Sequence, residues 1–135
     1  MFIPFKKATL LIPSSPNNLK DTKHLFIILT DPAQTRQSEV LLVNVSTIRN
    51  GIIFDEACII EPGEHPFIKN RSFIFYRHAR LEESKNLIRK VKSGEFIAHE
   101  AISDILYNKI AAGLLKSKFL ASKFKYFYQE HCKNV

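Results

Sequence analysis

The sequence holds no Trp, one Met, two Cys and only four Gly in 135 residues. With six Pro besides, it is neither a linker nor a low-complexity chain, and no internal repeat is present. Cys58 and Cys132 are too few for a disulfide framework, and two unpaired thiols fit a reducing cytoplasm. Leu25–Leu29 and Val40–Val43 are strand-sized, whereas a membrane-spanning helix needs roughly 20 apolar residues. Ala8–Pro13 falls short of the about 7–15 apolar residues of a secretory leader, and no small-residue cleavage site follows it. The expectation is a cytoplasmic protein without a membrane partner. No Gly-x-Ser-x-Gly elbow surrounds Ser46, which speaks against a triad serine hydrolase. A Gly-rich phosphate loop and a Cys-x-x-Cys motif are also lacking.

What is present suits a folded chain. Hydrophobic residues make up 45%, with eleven Phe, enough for the core of one domain spanning 1–135. The net charge of +7 points to anionic partners such as nucleic acid or an acidic protein, against the plainer reading of a soluble surface. The excess is uneven. Residues 1–82 carry 10 Lys+Arg against 8 Asp+Glu, and residues 83–135 carry 10 against 5.

The hydrophobic period divides the chain near residue 82. Before it, short β-prone runs alternate with turn signals: 8–12, His24–Thr30, Glu39–Val45, Ala57–Ile60, Ser72–Tyr76 and Ala79–Leu81. Asp31-Pro32 and Glu61-Pro62-Gly63-Glu64 punctuate them, and 13–22 reads as a loop. Five or six strands in about 80 residues suggest a small barrel or sandwich. After it, 82–92 reads as a helix stopped by Ser93-Gly94. From about Ser103 the apolar face Ile102, Leu106, Ile110, Leu114, Ala121, Phe124 and Tyr128 reads as helical to about 128, with Gly113 weakening or dividing it. The fold class expected is therefore α+β, with a β part over 1–82 and a helical part over 83–135.

Three constellations bear chemistry. His65 in Gly63-Glu64-His65-Pro66 has a ring suited to acid–base work, but a structural turn histidine is the plainer reading. Asp55, Cys58 and His65 match no standard zinc spacing and lack a fourth ligand. In Tyr76-Arg77-His78-Ala79-Arg80, strand alternation puts Tyr76, His78 and Arg80 on one face and Arg77 on the other. Arg can grip phosphate bidentately, and Tyr or His can stack on a base, unless this is an ordinary exposed strand end. Asn44-Val45-Ser46-Thr47 sets hydroxyls at a strand end, a common place for active-site groups. The C-terminal lysines, of which Lys109, Lys116 and Lys123 share one face, read first as a solvated helix side.

In order of segments, the chain resembles the MazF/PemK (Kid-like) toxin family over residues 8–90. Thr9–Pro13 looks like that family's first barrel strand, and Lys23–Thr30 is similar to the next. Leu41–Thr47 is similar to the strand that ends in a hydroxyl pair, and Ser72–Leu81 to the late strand that closes the barrel. The family's opening Gly-Asp is absent here, its Arg-Pro is replaced by His24-Leu25, and Pro62–Asn70 has no counterpart. The resemblance implies a small SH3-like antiparallel β-barrel with C-terminal helices. It implies a homodimer, a cognate antitoxin as partner, and metal-independent, cofactor-free cleavage of single-stranded RNA. The family's basic catalytic position falls on Lys23 or His24 and its loop hydroxyl on Ser46 or Thr47. On this reading His24, Ser46, Thr47 and Arg80 are catalytic, and Lys23, His65, Tyr76 and Arg77 bind substrate. His24 or His65 acts as base or acid, and Arg77 or Arg80 supplies charge. Two other classes compete: a non-catalytic barrel that binds protein or RNA, and an interaction protein that dimerises through its C-terminal helix.

Overall fold

A computed structural model describes residues 2–13 and 23–132, with nothing said of the side chain of Cys132. The expected loop at 13–22 lies almost wholly outside the described residues. The elements run β1 (Thr9–Pro13), β2 (Lys23–Ile28), β3 (Glu39–Thr47), β4 (Ile59–Ile60), β5 (Ser72–Ile74) and β6 (Arg80–Glu83). They are followed by α1 (Ser84–Lys92), β7 (Ile97–His99), α2 (Asp104–Lys116) and α3 (Ser122–Cys132).

The strands form one antiparallel sheet in the order β4-β5-β3-β2-β1-β7. β6 lies in line with β5 along β3, pairing Leu42 with Arg80 while β5 pairs Val45 with Ile74. Among the described residues, β4 and β7 remain outer strands that do not meet, so the sheet is not closed into a barrel. The expected α+β class with an antiparallel sheet is what the chain forms, whereas closure into a small barrel does not follow from strand count and spacing, which leave open whether the two ends come together.

Both faces of the sheet are covered, which explains the unbroken apolar runs. Leu25, Ile27, Leu41 and Val43 face Ile102, Leu106, Ile110 and Leu114 of the α2 region, and α3 adds Phe124, Phe127 and Tyr128 at the margin. On the other face Leu10, Ile12, Phe26, Ile28, Val40 and Leu42 pack with Leu87 of α1 and Phe96. A strand buried on both sides loses the alternation of a half-exposed one. No helix among the described residues is long and apolar enough to cross a membrane.

Local chemistry sets the helix ends. Ser103 caps α2, its hydroxyl accepting from the Leu106 N–H at 3.1 Å, and Asp104 pairs with Lys7. The helical region divides at 117–121 rather than at Gly113, which stays inside α2. Gly113 is there for space. A Cβ would lie 2.5 Å from Tyr76 Oη and 2.8 Å from both the Ala57 carbonyl oxygen and Cys58 Cβ. Neither oxygen can retreat easily, since one is backbone and Tyr76 Oη donates to the Ile110 carbonyl at 2.6 Å. Helix propensity favours Ala over Gly by about 1 kcal/mol, but overpacking costs about 1–3 kcal/mol. Gly113→Ala is therefore expected to lower the urea midpoint; a raised midpoint would mean that α2 can shift off the sheet.

One element is unanticipated and one local expectation changes. Ile97–His99 forms β7, an exposed three-residue strand that shows no buried face to betray it in sequence. Tyr76–His78 is a 3₁₀ turn between β5 and β6, so strand alternation does not extend across it.

Candidate functional site

β2 begins with Lys23 and His24, and its neighbour β3 ends with Ser46 and Thr47. The strands are antiparallel, with Phe26 opposite Asn44, so the start of one lies beside the end of the other. Lys23, His24, Ser46 and Thr47 consequently line one cavity of about 380 Å³. Val45, Arg49, Phe67, Ile68, Lys69, Asn70 and Ser72 complete its lining. Three cations and the hydroxyl residues Ser46 and Thr47 line the space, Ser72 is buried with its hydroxyl donating to the Asn70 carbonyl at 2.8 Å, and no carboxylate is among these lining residues. Such a wall attracts an anion and offers it hydrogen-bond donors.

The far wall is a built loop. His65 is buried at 2% exposure. Its Nδ1 accepts from the Phe67 N–H at 3.0 Å, so Nε2 carries the proton and donates to the Glu100 carbonyl at 2.6 Å. The Ile68 N–H donates to the His65 carbonyl at 2.9 Å, and Ile68 is buried beneath. Glu64 accepts from the Glu61 N–H and pairs with Lys109 at 2.9 Å. These bonds hold Phe67–Asn70 against the cavity.

His24 is half-buried. Burial lowers its pKa below the ordinary 6.5, with His78 and then Arg49 pushing the same way. The neutral form of the ring is thus favoured near pH 7, the form that can act as a base. As pH falls below 6.5, the unfolded chain takes up this proton before the folded one, so stability declines towards the folded-state value. Above 6.5 the group contributes no slope. An NMR titration of His24 is expected to give a midpoint below 6.5, moving upward when a phosphodiester is bound. A midpoint at or above 6.5 without ligand would contradict the desolvation.

The other residues singled out in sequence lie elsewhere. His65 does not line the cavity, because both ring nitrogens hold the loop. Tyr76 is fully buried in the main core with its hydroxyl bonded to α2, so it has no face for a base. Arg77 stacks 5.0 Å over Phe119 and lines a second, apolar groove. Arg80 lies 4.7 Å over the Phe26 ring with Nε 3.1 Å from Glu82 Oε2, as an ion pair whose alignment leaves Nε without a hydrogen bond. Neither Arg77 nor Arg80 is among the described lining residues of the cavity that holds His24.

Sequence reasoning passed over Arg49, Lys69, Asn70 and Ser72. Arg49 follows the hydroxyl pair by two positions and was within reach of a spacing argument. The loop residues carry no such signal, because the hydrogen bonds that place them come from His65 and the residue after β7. The possible metal cluster does not assemble either. Asp55 accepts from the Ala57 N–H at 3.0 Å and the Ser117 hydroxyl at 2.6 Å, and His65 is committed as above. Burial pushes the free Cys58 thiol up to about 11, which keeps it protonated. No protein-family model, curated protein or solved structure matches this chain.

Proposed function

We propose that this chain is a metal-independent endoribonuclease acting on single-stranded RNA, of the toxin kind that its sequence resembles. The observation that carries the reading is one cavity lined by Lys23, Arg49 and Lys69 together with His24 and the hydroxyl residues Ser46 and Thr47, with no carboxylate among its described lining residues. Cations and hydroxyls suit a phosphodiester, and a neutral imidazole suits a proton acceptor. In the reaction, His24 takes the proton of the ribose 2′-OH. That oxygen bonds to the adjacent phosphorus, and the bond to the 5′ oxygen breaks. The cations hold the charge that gathers on the phosphorane oxygens. The leaving oxygen takes a proton from a second donor, leaving a 2′,3′-cyclic phosphate and a 5′-hydroxyl. His78, which stacks on Phe75 at 3.9 Å and acts electrostatically on His24, is our candidate for that donor.

The test is purified protein with total RNA, with and without a chelator. Cleavage is expected in both, leaving cyclic phosphate ends. Cleavage that chelator abolishes would end the metal-independent mechanism. Binding without cleavage would favour the second reading, a non-catalytic RNA-binding module, which the same cationic cavity also supports. A cognate antitoxin and a homodimer belong to the proposal through the resemblance alone.

A further inference from the structure

We propose that the apolar groove beside the cationic cavity is a nucleobase subsite, seating the base of a nucleotide whose phosphate lies in that cavity. The inference rests on the single-stranded RNA reading of the first cavity and adds where the strand goes next. The groove has a volume of about 260 Å³, and Phe54, Phe73, Phe75, Arg77 and Phe119 are among its lining residues. It is joined to the cavity through one strand pair. Ser46 of the cavity stands directly opposite Phe73 of the groove, and Ser72 of the cavity precedes Phe73 in β5. Cross-strand side chains stand about 5 Å apart. Phe73 is itself buried, so a base would lie on the more open rings of Phe54, Phe75 and Phe119 beside it, within one nucleotide's reach of a phosphate held at Ser46.

The rings make a continuous track. Phe54 and Phe73 are 5.3 Å apart, Phe73 and Phe75 are 5.3 Å apart, and His78 stacks on Phe75 at 3.9 Å. Tracks of aromatic faces beside cations are how proteins hold single-stranded nucleic acid without reading its sequence. Arg77 over Phe119 completes one wall with a guanidinium plane. Asp55, the groove's only carboxylate among the described lining residues, accepts at both oxygens, from the Ala57 N–H and the Ser117 hydroxyl, and the proposed phosphate position lies in the neighbouring cavity rather than beside it. The same groove could cover itself with an apolar peptide or a second copy. The cation-lined cavity next door, and a chain charge of +7, favour the polyanion.

The experiment uses the full chain and two labelled single-stranded deoxy-oligonucleotides that lack the attacking 2′-OH, one of thymidines and one wholly abasic, read by fluorescence anisotropy. The thymidine strand is expected to bind at least about 5-fold tighter than the abasic one, the low end for one stacked base. Phe119→Ala should erase much of that difference and leave abasic binding unchanged; Phe119 is 43% exposed, so its loss opens no core. Phe75→Leu, which keeps apolar bulk and removes the flat face, should do the same. Equal binding of the two strands by the unaltered chain, or no change in either variant, overturns the subsite. Loss of self-association with unchanged oligonucleotide binding also overturns it. Arg49→Ala reads the first cavity separately: abasic binding that does not weaken would overturn the phosphate site itself, whereas weakened abasic binding with no base preference in the unaltered chain overturns only the groove.

Discussion

Replacing His24 by Ala is expected to lower the rate of RNA cleavage by at least about 10²-fold, the usual scale for a lost acid–base group. That corresponds to about 2.7 kcal/mol of transition-state stabilisation. The size follows from the composition of the cavity. Its other polar groups are ammonium, guanidinium, amide and hydroxyl, none of which accepts a proton readily near neutral pH. His24 is the one imidazole among the described lining residues, and burial lowers its pKa, which favours the neutral ring. The substitution should depress kcat more than it raises KM, because Lys23, Arg49 and Lys69 still hold the phosphate. Removing a cation should instead weaken binding and flatten its dependence on salt. Cleavage at an undiminished rate by the His24→Ala protein would take His24 out of the chemistry. The pH profile gives an independent check: a rate that rises with pH through a value below 6.5 is expected if a neutral His24 is the base.

The second large effect concerns the sheet. Ile28→Ala is expected to destabilise the protein by about 2–5 kcal/mol, seen as a lower urea midpoint at an unchanged slope. Ile28 has no exposed surface and packs in the core formed by Leu10, Ile12, Phe26, Val40, Leu42, Leu87 and Phe96. The backbone around it is pinned, since its N–H donates to the Ala8 carbonyl at 2.9 Å and its carbonyl accepts from the Lys7 N–H at 2.8 Å. Sheet and helix therefore cannot both close on the space left behind, and the cavity term adds to the lost transfer energy. The same chemical change at Ile53, which is 94% exposed, should stay within about 0.5 kcal/mol. Equal effects at the two positions would mean that β2 is not the centre of the sheet.

Much of this was legible in residue order. The runs at 24–30 and 39–45 are strands within two residues, and Glu82–Lys92 contains α1. The segments at 57–60 and 72–76 shrink to two and three residues of strand, because turns and the 3₁₀ segment take up their flanks. β7 escaped notice because all three of its residues are exposed and present no alternation. Gly113 looked like a breaker and is a contact instead, a distinction that depends on Tyr76 and Ala57 arriving from distant parts of the chain.

The sequence by itself determined the α+β character, the change of period near residue 82 and the strand ends that carry Lys23, His24, Ser46 and Thr47. These are local properties: hydrophobic period and turn residues act over a few positions. The tertiary structure alone decided that the sheet stays open, that Tyr76 and His65 serve the fold, and that Arg77 stacks on Phe119 and Arg80 on Phe26. It also decided that Arg49, Lys69 and Ser72 join the cavity. Each of these follows from contacts between residues far apart in the chain, such as His65 with Glu100 or Tyr76 with Ile110, whose formation depends on how the helices settle on both faces of the sheet.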